Sequence, residues 1–561
     1  MTRRFHALHT ALASTLLLLA ACAETGPRSS AGPATGAALQ ACTELAARFN
    51  WPRTVLSAAE NVPAGKLMLA GAPVPEHCLV NGRMNERVSA VDGQPYAIGF
   101  QMRLPKAWNG RFYHQGNGGL DGFVVDAIGP ASGGGPITSA LQQGFAVLSS
   151  DAGHNRTQLP FFGLDPQARA DYGYAAVGSL TPMARALIRA AYGKEPDRSY
   201  IGGCSNGGRH AMVAAARYAQ AYDGVLAGNP GFNLPRAALA QLWGAQQYNK
   251  LATTPDLASA LTPVERKVLA DAVLDRCDAL DGLADGLIQD TRRCQNAFDL
   301  SRDVRTCVGA RDGTCLSAEQ KAALNGVFNG GRVDGDKFYA SFPFDAGLVG
   351  ADWASWKFVS SITNRDPVAV AYVFQTPPAA KALAADARAL AMNYDVAAGV
   401  RNLTATAAPF NESAMAFMTP PASDLSPLRK RGGKMMVYHG TSDGVFSSDD
   451  SVAWWEQLNG AHQGSAAAFA RLYLVPGMNH FRGGPATDQF DMLTSLVDWV
   501  ERGRAPDRAI AQVRGAGNAG GANTELPANW SAARSRPLCP YPLVAQYKGG
   551  DAESAASFEC R

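Results

Sequence analysis

Residues 200–208 read YIGGCSNGG, with Ser205 inside a Gly203-x-Ser-x-Gly207 frame and Cys204 directly before it. A serine on a sharp strand-to-helix turn has its hydroxyl lifted above the sheet. Small flanking residues prevent clashes there, and the following helix aims amides at developing negative charge. The flanks suit this: RSYI (198–201) has strand character and RHAMVAAARYA (209–219) is helical. The competing role for Ser205 is a helix N-cap, so its partners must decide.

A nucleophilic serine needs a base, and the base needs an orienting acid. MMVYHGTSD (435–443) is a strand that ends at Asp443, and RLYLVPGMNH (471–480) is one that ends at His480. Ser205, Asp443 and His480 thus follow the chain order of an α/β-hydrolase triad, the chemistry of acyl transfer. No histidine follows His480. His439, inside its strand end, and His462, in a polar loop, are the rival bases. Asp449 and Asp450 follow FSS and read as a helix start. Oxyanion stabilisation needs two amides. One falls to Asn206, the other to Gly118 or Gly119 in QGNGGLDG (115–122). Asp151 and His154, in SSDAGH, read as supports for the pocket.

The elements that must position these groups alternate. PYAIGFQMR (95–103), GFAVLSS (144–150) and YDGVLAG (222–228) read as strands, while TPMARALIRAAYG (181–193) and DMLTSLVDWVERG (491–503) have helical spacing. This is an α/β chain with a mostly parallel sheet covered by helices. Residues 234–405 break the rhythm and read as an inserted lid domain, which leaves 41–233 and 406–561 for the catalytic domain.

With 561 residues, the chain is long enough for a core plus an insertion. A net charge of +3 and the lack of dense Lys/Arg runs speak against a nucleic-acid partner. MTRRF followed by ALASTLLLLAAC (11–22) reads as an export signal too short to span a bilayer. Its LAAC end resembles a lipoprotein cleavage site, with Cys22 as the lipid carrier; an ordinary signal peptide is the alternative. Residues 23–40 read as a flexible tether. The location expected is periplasmic, outer-membrane or secreted, with a lipid anchor as the one membrane contact. In an oxidising compartment disulfides are the default. Without Cys22, nine cysteines remain, so one is free or paired between molecules. They do not form the CxxC pairs of a zinc site.

GGCSNGGRHA, YHGTSD, PGMNHFRGGP and the cysteine spacing together resemble the tannase and feruloyl esterase family, nearly throughout from Cys42 onward. The resemblance implies an α/β-hydrolase core with a large lid, cleavage of aromatic-acid esters, and Ser205, Asp443 and His480 as the triad. Family members carry a second cysteine after the catalytic histidine, bonded to the one before the serine. Here that position is Phe481. Cys204 is then expected as a free, buried thiol near Phe481, with pairs Cys42–Cys78, Cys277–Cys294, Cys307–Cys315 and Cys539–Cys560.

CDALDGLADGLIQD (277–290) crowds carboxylates on a turn. By itself it suits a solvated loop and calcium equally. The resemblance implies structural calcium held by Asp278, Asp281 and Asp285 with the carbonyls of Leu283 and Leu287. No redox cofactor is implied. Aromatic residues suit a flat acyl group; Phe446 leads, with Trp356, Trp353, Phe358 and Phe374 from the lid, and Arg365 would meet a carboxylate. The expected activity is hydrolysis of hydroxycinnamic or related phenolic esters by a monomer. Gallate or terephthalate monoesters are the alternative acyl groups, and a non-catalytic ligand-binding lipoprotein is the alternative class.

Overall fold

The computed structural model describes residues 31–130, 132–133, 137–363, 365–419 and 424–561. The expected signal segment and the first part of the tether lie outside these residues.

Nine strands form the central sheet: β1 (Thr54–Val62), β2 (His77–Val88), β3 (Pro95–Pro105), β4 (Arg111–Gln115), β5 (Ala146–Ser150), β6 (Arg198–Cys204), β7 (Gly224–Gly228), β8 (Lys434–Gly440) and β9 (Ala470–Val475). Their order is β9-β8-β7-β6-β4-β5-β3-β2-β1. Strands β4 to β9 run parallel, and β1 to β3 extend one edge antiparallel. All five residues of β5 and of β7 are buried, and neither strand alternates apolar with polar residues, as strands covered on both faces require. The register sets Cys204 beside Gly228, and Gly228 beside Tyr438. The loops after β6, β7, β8 and β9 therefore open at one edge, where the candidate residues follow.

Helices α1 (Ala176–Tyr192), α2 (Asn206–Arg217), α6 (Ser448–Ala461) and α7 (Met492–Arg502) flank the sheet. Helix α7 falls where the 491–503 periodicity predicts. The Asp491 carboxylate caps it by accepting from the Thr494 amide, and Gly503, at φ 70°, ends it in the left-handed conformation. Between β7 and β8 the described chain adds no strand to this sheet. Its helices α3 (Leu234–Asn249), α4 (Pro263–Cys277) and α5 (Ala351–Phe358) share an apolar cluster of their own that contains Leu239, Leu269, Trp353 and Phe374 and reaches Phe446. Phe417 and Met418 belong to the same cluster, so its packing continues past residue 405. The four disulfides implied by the resemblance are formed.

The expected tether differs from the structure in its second part. Residues 31–40 are docked: Ala37–Ala38 pair antiparallel with Ala107–Trp108, and the Thr35 amide donates to Asp197 at 2.7 Å. Small residues allow this approach, since a Cβ on Gly36 would lie 2.4 Å from the Trp108 carbonyl oxygen. The composition that suits a loose linker also suits close backbone packing. Buried Glu501 anchors the region. It accepts from Arg111 Nε and Nη2, both at 2.7 Å, from the Tyr200 hydroxyl at 2.9 Å and from the Ala34 amide at 3.1 Å. Burial disfavours its charge, yet Arg111 and these donors hold the carboxyl below its usual range. Glu501→Gln leaves Arg111 without its anion and is expected to cost about 3 kcal/mol in urea unfolding, with faster proteolysis near residue 35.

Candidate active site

Ser205 sits between β6 and α2 with φ 63° and ψ −127°, a conformation that is costly for a residue with a side chain. It occupies the N-cap position of α2, but its side chain makes no capping hydrogen bond, which removes the capping role. The flanking glycines have a direct cause. A Cβ on Gly203 or Gly207 would lie 2.4 or 2.3 Å from the Gly116 carbonyl oxygen. The nucleophile turn and the 115–122 loop are thus pressed together with no room for a methyl group.

His480 Nδ1 lies 2.8 Å from Asp443 Oδ2, and His480 Nε2 is buried with no hydrogen-bond partner. Asp443 is fully enclosed. Its Oδ2 also accepts from Asn229 Nδ2 at 2.8 Å, and its Oδ1 from the amides of Val445 and Phe446 at 2.8 and 3.0 Å. Burial opposes the charge of Asp443, but the His480 charge and hydrogen bonds from His439 and His480 outweigh it and hold the carboxyl well below the usual carboxylate range. His439 packs beneath, with Nε2 3.3 Å from Asp443 and Nδ1 2.8 Å from Ser451 Oγ. His462 caps the end of α6 and meets Arg429. Asp449 and Asp450 lie in the first turn of α6, bonded to Ser341 and Asn233.

Gly118 approaches the nucleophile: a Cβ built on it would lie 4.0 Å from Ser205 Cβ. Gly119, at φ 66°, faces open space. Asn206 begins α2, and its side chain donates to Asp121 Oδ2 at 2.8 Å; His210 Nε2 lies 2.9 Å from the same oxygen. Arg209 Nε donates to Asn206 Oδ1 at 2.6 Å. This buried network ties the 115–122 loop to the helix that follows Ser205. Sequence reasoning missed it; the signal was Asp121 and His210, polar residues inside otherwise apolar or glycine-rich motifs. His154 donates through Nε2 to the Leu120 carbonyl at 2.8 Å and stacks on Phe162 at 3.7 Å, a supporting role. Asp151 likewise receives the Gly99 and Gly153 amides, and burial pushes it up to about 7. Asn229 and Asp352, whose Oδ2 accepts the His480 amide at 3.1 Å, were also missed.

Trp356 and Phe446 set their rings edgewise to His480, with centroids 5.2 and 5.4 Å away. The Arg365 guanidinium lies 4.3 Å over the Trp356 ring and 5.9 Å from that of Phe446, while its Nη1 donates to Asp366 at 2.6 Å. These three residues come together beside His480. Trp353, Phe358 and Phe374 are instead packed in the lid core. Trp353 and Phe358 fill that core because α5 turns one face to the interior and another to the site, while Phe374 belongs to the separate helical segment Ala369–Phe374.

Cys204 is free, but it is half-buried rather than fully buried, and its recorded partner is the Tyr438 hydroxyl, 2.8 Å from Sγ. The thiol itself is shielded, and burial pushes its pKa up to about 11. Phe481, at φ 55°, lays its ring against His480 at 5.1 Å.

Among the acidic residues of 277–290, Asp278 accepts the amides of Asp285 and Gly286 at 3.1 and 2.8 Å. Asp281 Oδ2 is buried and unpartnered, and burial, then Asp285 and Asp278, push its carboxyl up to about 7. Asp285 already pairs with Arg536. Leu283 and Leu287 donate amides to Asp281 and Asp285, both at 3.1 Å. A close trio at Cys307, Asp312 and Cys315 is no metal site, because its two sulfurs are bonded to each other.

A mostly parallel sheet with strained serine, histidine and buried aspartate on loops at one strand edge defines a hydrolase of the α/β-hydrolase fold. Comparison with known proteins narrows this. The sequence pattern of the family described as tannase and feruloyl esterase matches residues 78–561. The mono(2-hydroxyethyl) terephthalate hydrolase of Piscinibacter sakaiensis is 39% identical over 568 residues, covering 94% of this chain and 92% of that protein. An uncharacterized esterase of Xanthomonas campestris pv. campestris is 31% identical over 94% of this chain and 92% of its own. The crystal structure of feruloyl esterase B from Aspergillus oryzae superposes with a TM-score of 0.72 at 24% identity, over 93% of this chain and 99% of that one, which shows the shared fold. The chain belongs to the tannase and feruloyl esterase family and is a carboxylic ester hydrolase.

Gly207→Ala forces the 115–122 loop away from Ser205 and is expected to lower kcat/KM for an ester about 100-fold. Thiol titration of the denatured, unreduced protein without its N-terminal export segment is expected to find one thiol, lost in Cys204→Ser; in the native protein it should react slowly at neutral pH.

Proposed function

We propose that the protein hydrolyses esters of aromatic acids, hydroxycinnamic and related phenolic esters foremost, with Ser205 as nucleophile, His480 as base and Asp443 as orienting acid. The carrying observation is the Asp443–His480 pair, whose open Nε2 lies beside the rings of Trp356 and Phe446. Ser205 attacks the ester carbonyl as His480 takes its proton. Asp443 fixes the imidazole tautomer and stabilises the cation. The amides of Asn206 and Gly118 or Gly119 hold the oxyanion. The alcohol departs with the proton from His480, and water then frees the acid by the same steps. Trp356 and Phe446 form the walls for a flat acyl group. A non-catalytic binding role leaves the strain at Ser205 and the buried Asp443 charge without purpose.

Arg365 favours a second reading, a terephthalate monoester, because its guanidinium is at the rim of this aromatic pair, where a distal carboxylate would arrive. The resemblance to a mono(2-hydroxyethyl) terephthalate hydrolase supports it. Chromatography of methyl ferulate, methyl gallate and mono(2-hydroxyethyl) terephthalate after incubation separates the readings. Turnover of at least one is expected, with loss in Ser205→Ala and about a 10⁴-fold fall in kcat for Asp443→Asn. Arg365→Gln should raise KM for the terephthalate ester alone. Equal turnover by Ser205→Ala overturns the assignment.

Calcium is proposed as a structural ion of the 277–290 turn. The unpartnered, buried oxygen of Asp281 suits a cation, with Asp278 and the carbonyls of Leu283 and Leu287 as further ligands. Asp285 would share its charge with Arg536. The ion would brace the turn closed by Cys277–Cys294 and take no part in the reaction. Chelation is expected to lower Tm, calcium to restore it, and Asp281→Asn to abolish that response. Export through the N-terminal segment is supported by the four disulfides, which persist in oxidising compartments. Among the described residues no helix is long and apolar enough to cross a membrane. Attachment through Cys22, and action as a monomer, complete the proposal.

A further inference from the structure

Lys357 follows Trp356 on α5 and is only 4% exposed. Its ammonium sits 3.7 Å over the Phe342 ring and, among the described residues, meets no carboxylate at ion-pair distance. A buried ammonium without acceptors is costly. Two small cavities flank it, each about 10 Å³. Lys357, Asp345, Thr441, Ser442 and Asp443 line the first. Lys357, Gln241 and Tyr248 line the second, where the Tyr248 hydroxyl is buried and unpartnered. Each is about the size that admits one water, and the first joins Lys357 to the acid that orients His480.

We propose that Lys357 is a positioning residue for the Asp443–His480 pair, facing Asp443 across their shared cavity and opposing a second positive charge on His480. The inference rests on the catalytic reading of that pair. Other charged groups face the region. Arg365 and Asp366 pair with each other at 2.6 Å, Asp352 accepts the His480 amide, and Asp345 accepts from Thr441 Oγ1 at 2.5 Å. Burial pushes Lys357 down to about 7, against the pull of Asp443 and Asp366. The ammonium is therefore charged on the acid side of neutrality. There it competes with an imidazolium for the Asp443 charge.

The test compares Lys357→Met and Lys357→Gln with the wild type, Gln being the variant that still serves a buried water. The acid limb of the kcat/KM profile, on whichever ester the wild type cleaves, is expected to move up by about half a pH unit. That is about a threefold loss on the acid limb with the alkaline plateau held within about twofold. The imidazole titration of His480, followed by NMR in protein labelled with ¹³C-histidine, should move by the same amount. A uniform loss at all pH values, or an unmoved midpoint in the folded variants, overturns the role. Activity that survives Ser205→Ala defeats the catalytic reading instead, and the NMR midpoint still decides on Lys357 without turnover.

Discussion

The buried carboxylate of Asp443 is the charge around which the site is assembled. An ion this deeply enclosed costs several kcal/mol unless every lone pair is engaged. Here the engagement comes from separate parts of the chain: Asn229 after β7, the amides of Val445 and Phe446, His439 within β8 and His480 after β9. The same contacts that keep Asp443 ionised hold three strand-end loops in one arrangement. The tautomer and direction of His480 follow from a folding requirement as much as from a catalytic one.

A second constraint is steric. Gly203 and Gly207 both abut the Gly116 carbonyl, so the Ser205 turn and the 115–122 loop approach backbone to backbone. The strain at Ser205 persists because Asp121, Asn206, Arg209 and His210 tie those segments together below it. The family resemblance implies a disulfide between the Ser205 and His480 loops, and Phe481 stands where its second cysteine would be. In this chain the rings of Phe481, Trp356 and Phe446 crowd His480 instead.

The insertion between β7 and β8 reaches His480 and the surroundings of Asp443. Helix α5 brings Trp356 to the His480 ring, Asp352 to the His480 amide and Lys357 to the cavity behind Asp443. Under the proposed function, acyl recognition and positioning of the base would share one short helix. Its apolar residues Trp353 and Phe358 anchor it in the lid core. Changes in lid packing would therefore be felt at the base and not only at the substrate rim.

By itself the sequence determined the α/β class, the nucleophile frame, the order Ser205–Asp443–His480 and the end of α7. Each rests on local rules: a small-residue turn, an apolar run ending in a polar loop, a cap. The family resemblance implied the disulfide pairs, whose spacing the residues alone leave open. Only the tertiary structure decided that residues 31–40 dock on the core, since glycine and alanine serve a linker and a tight backbone contact equally well. It alone separated Trp356, beside His480, from Trp353, in the lid core, three residues apart on one helix. It also gave Cys204 a partner in Tyr438, brought Asn229 to Asp443 and set Lys357 behind the same acid. These are contacts between strand ends and an insertion far apart in the chain, and no periodicity or motif within either segment encodes them.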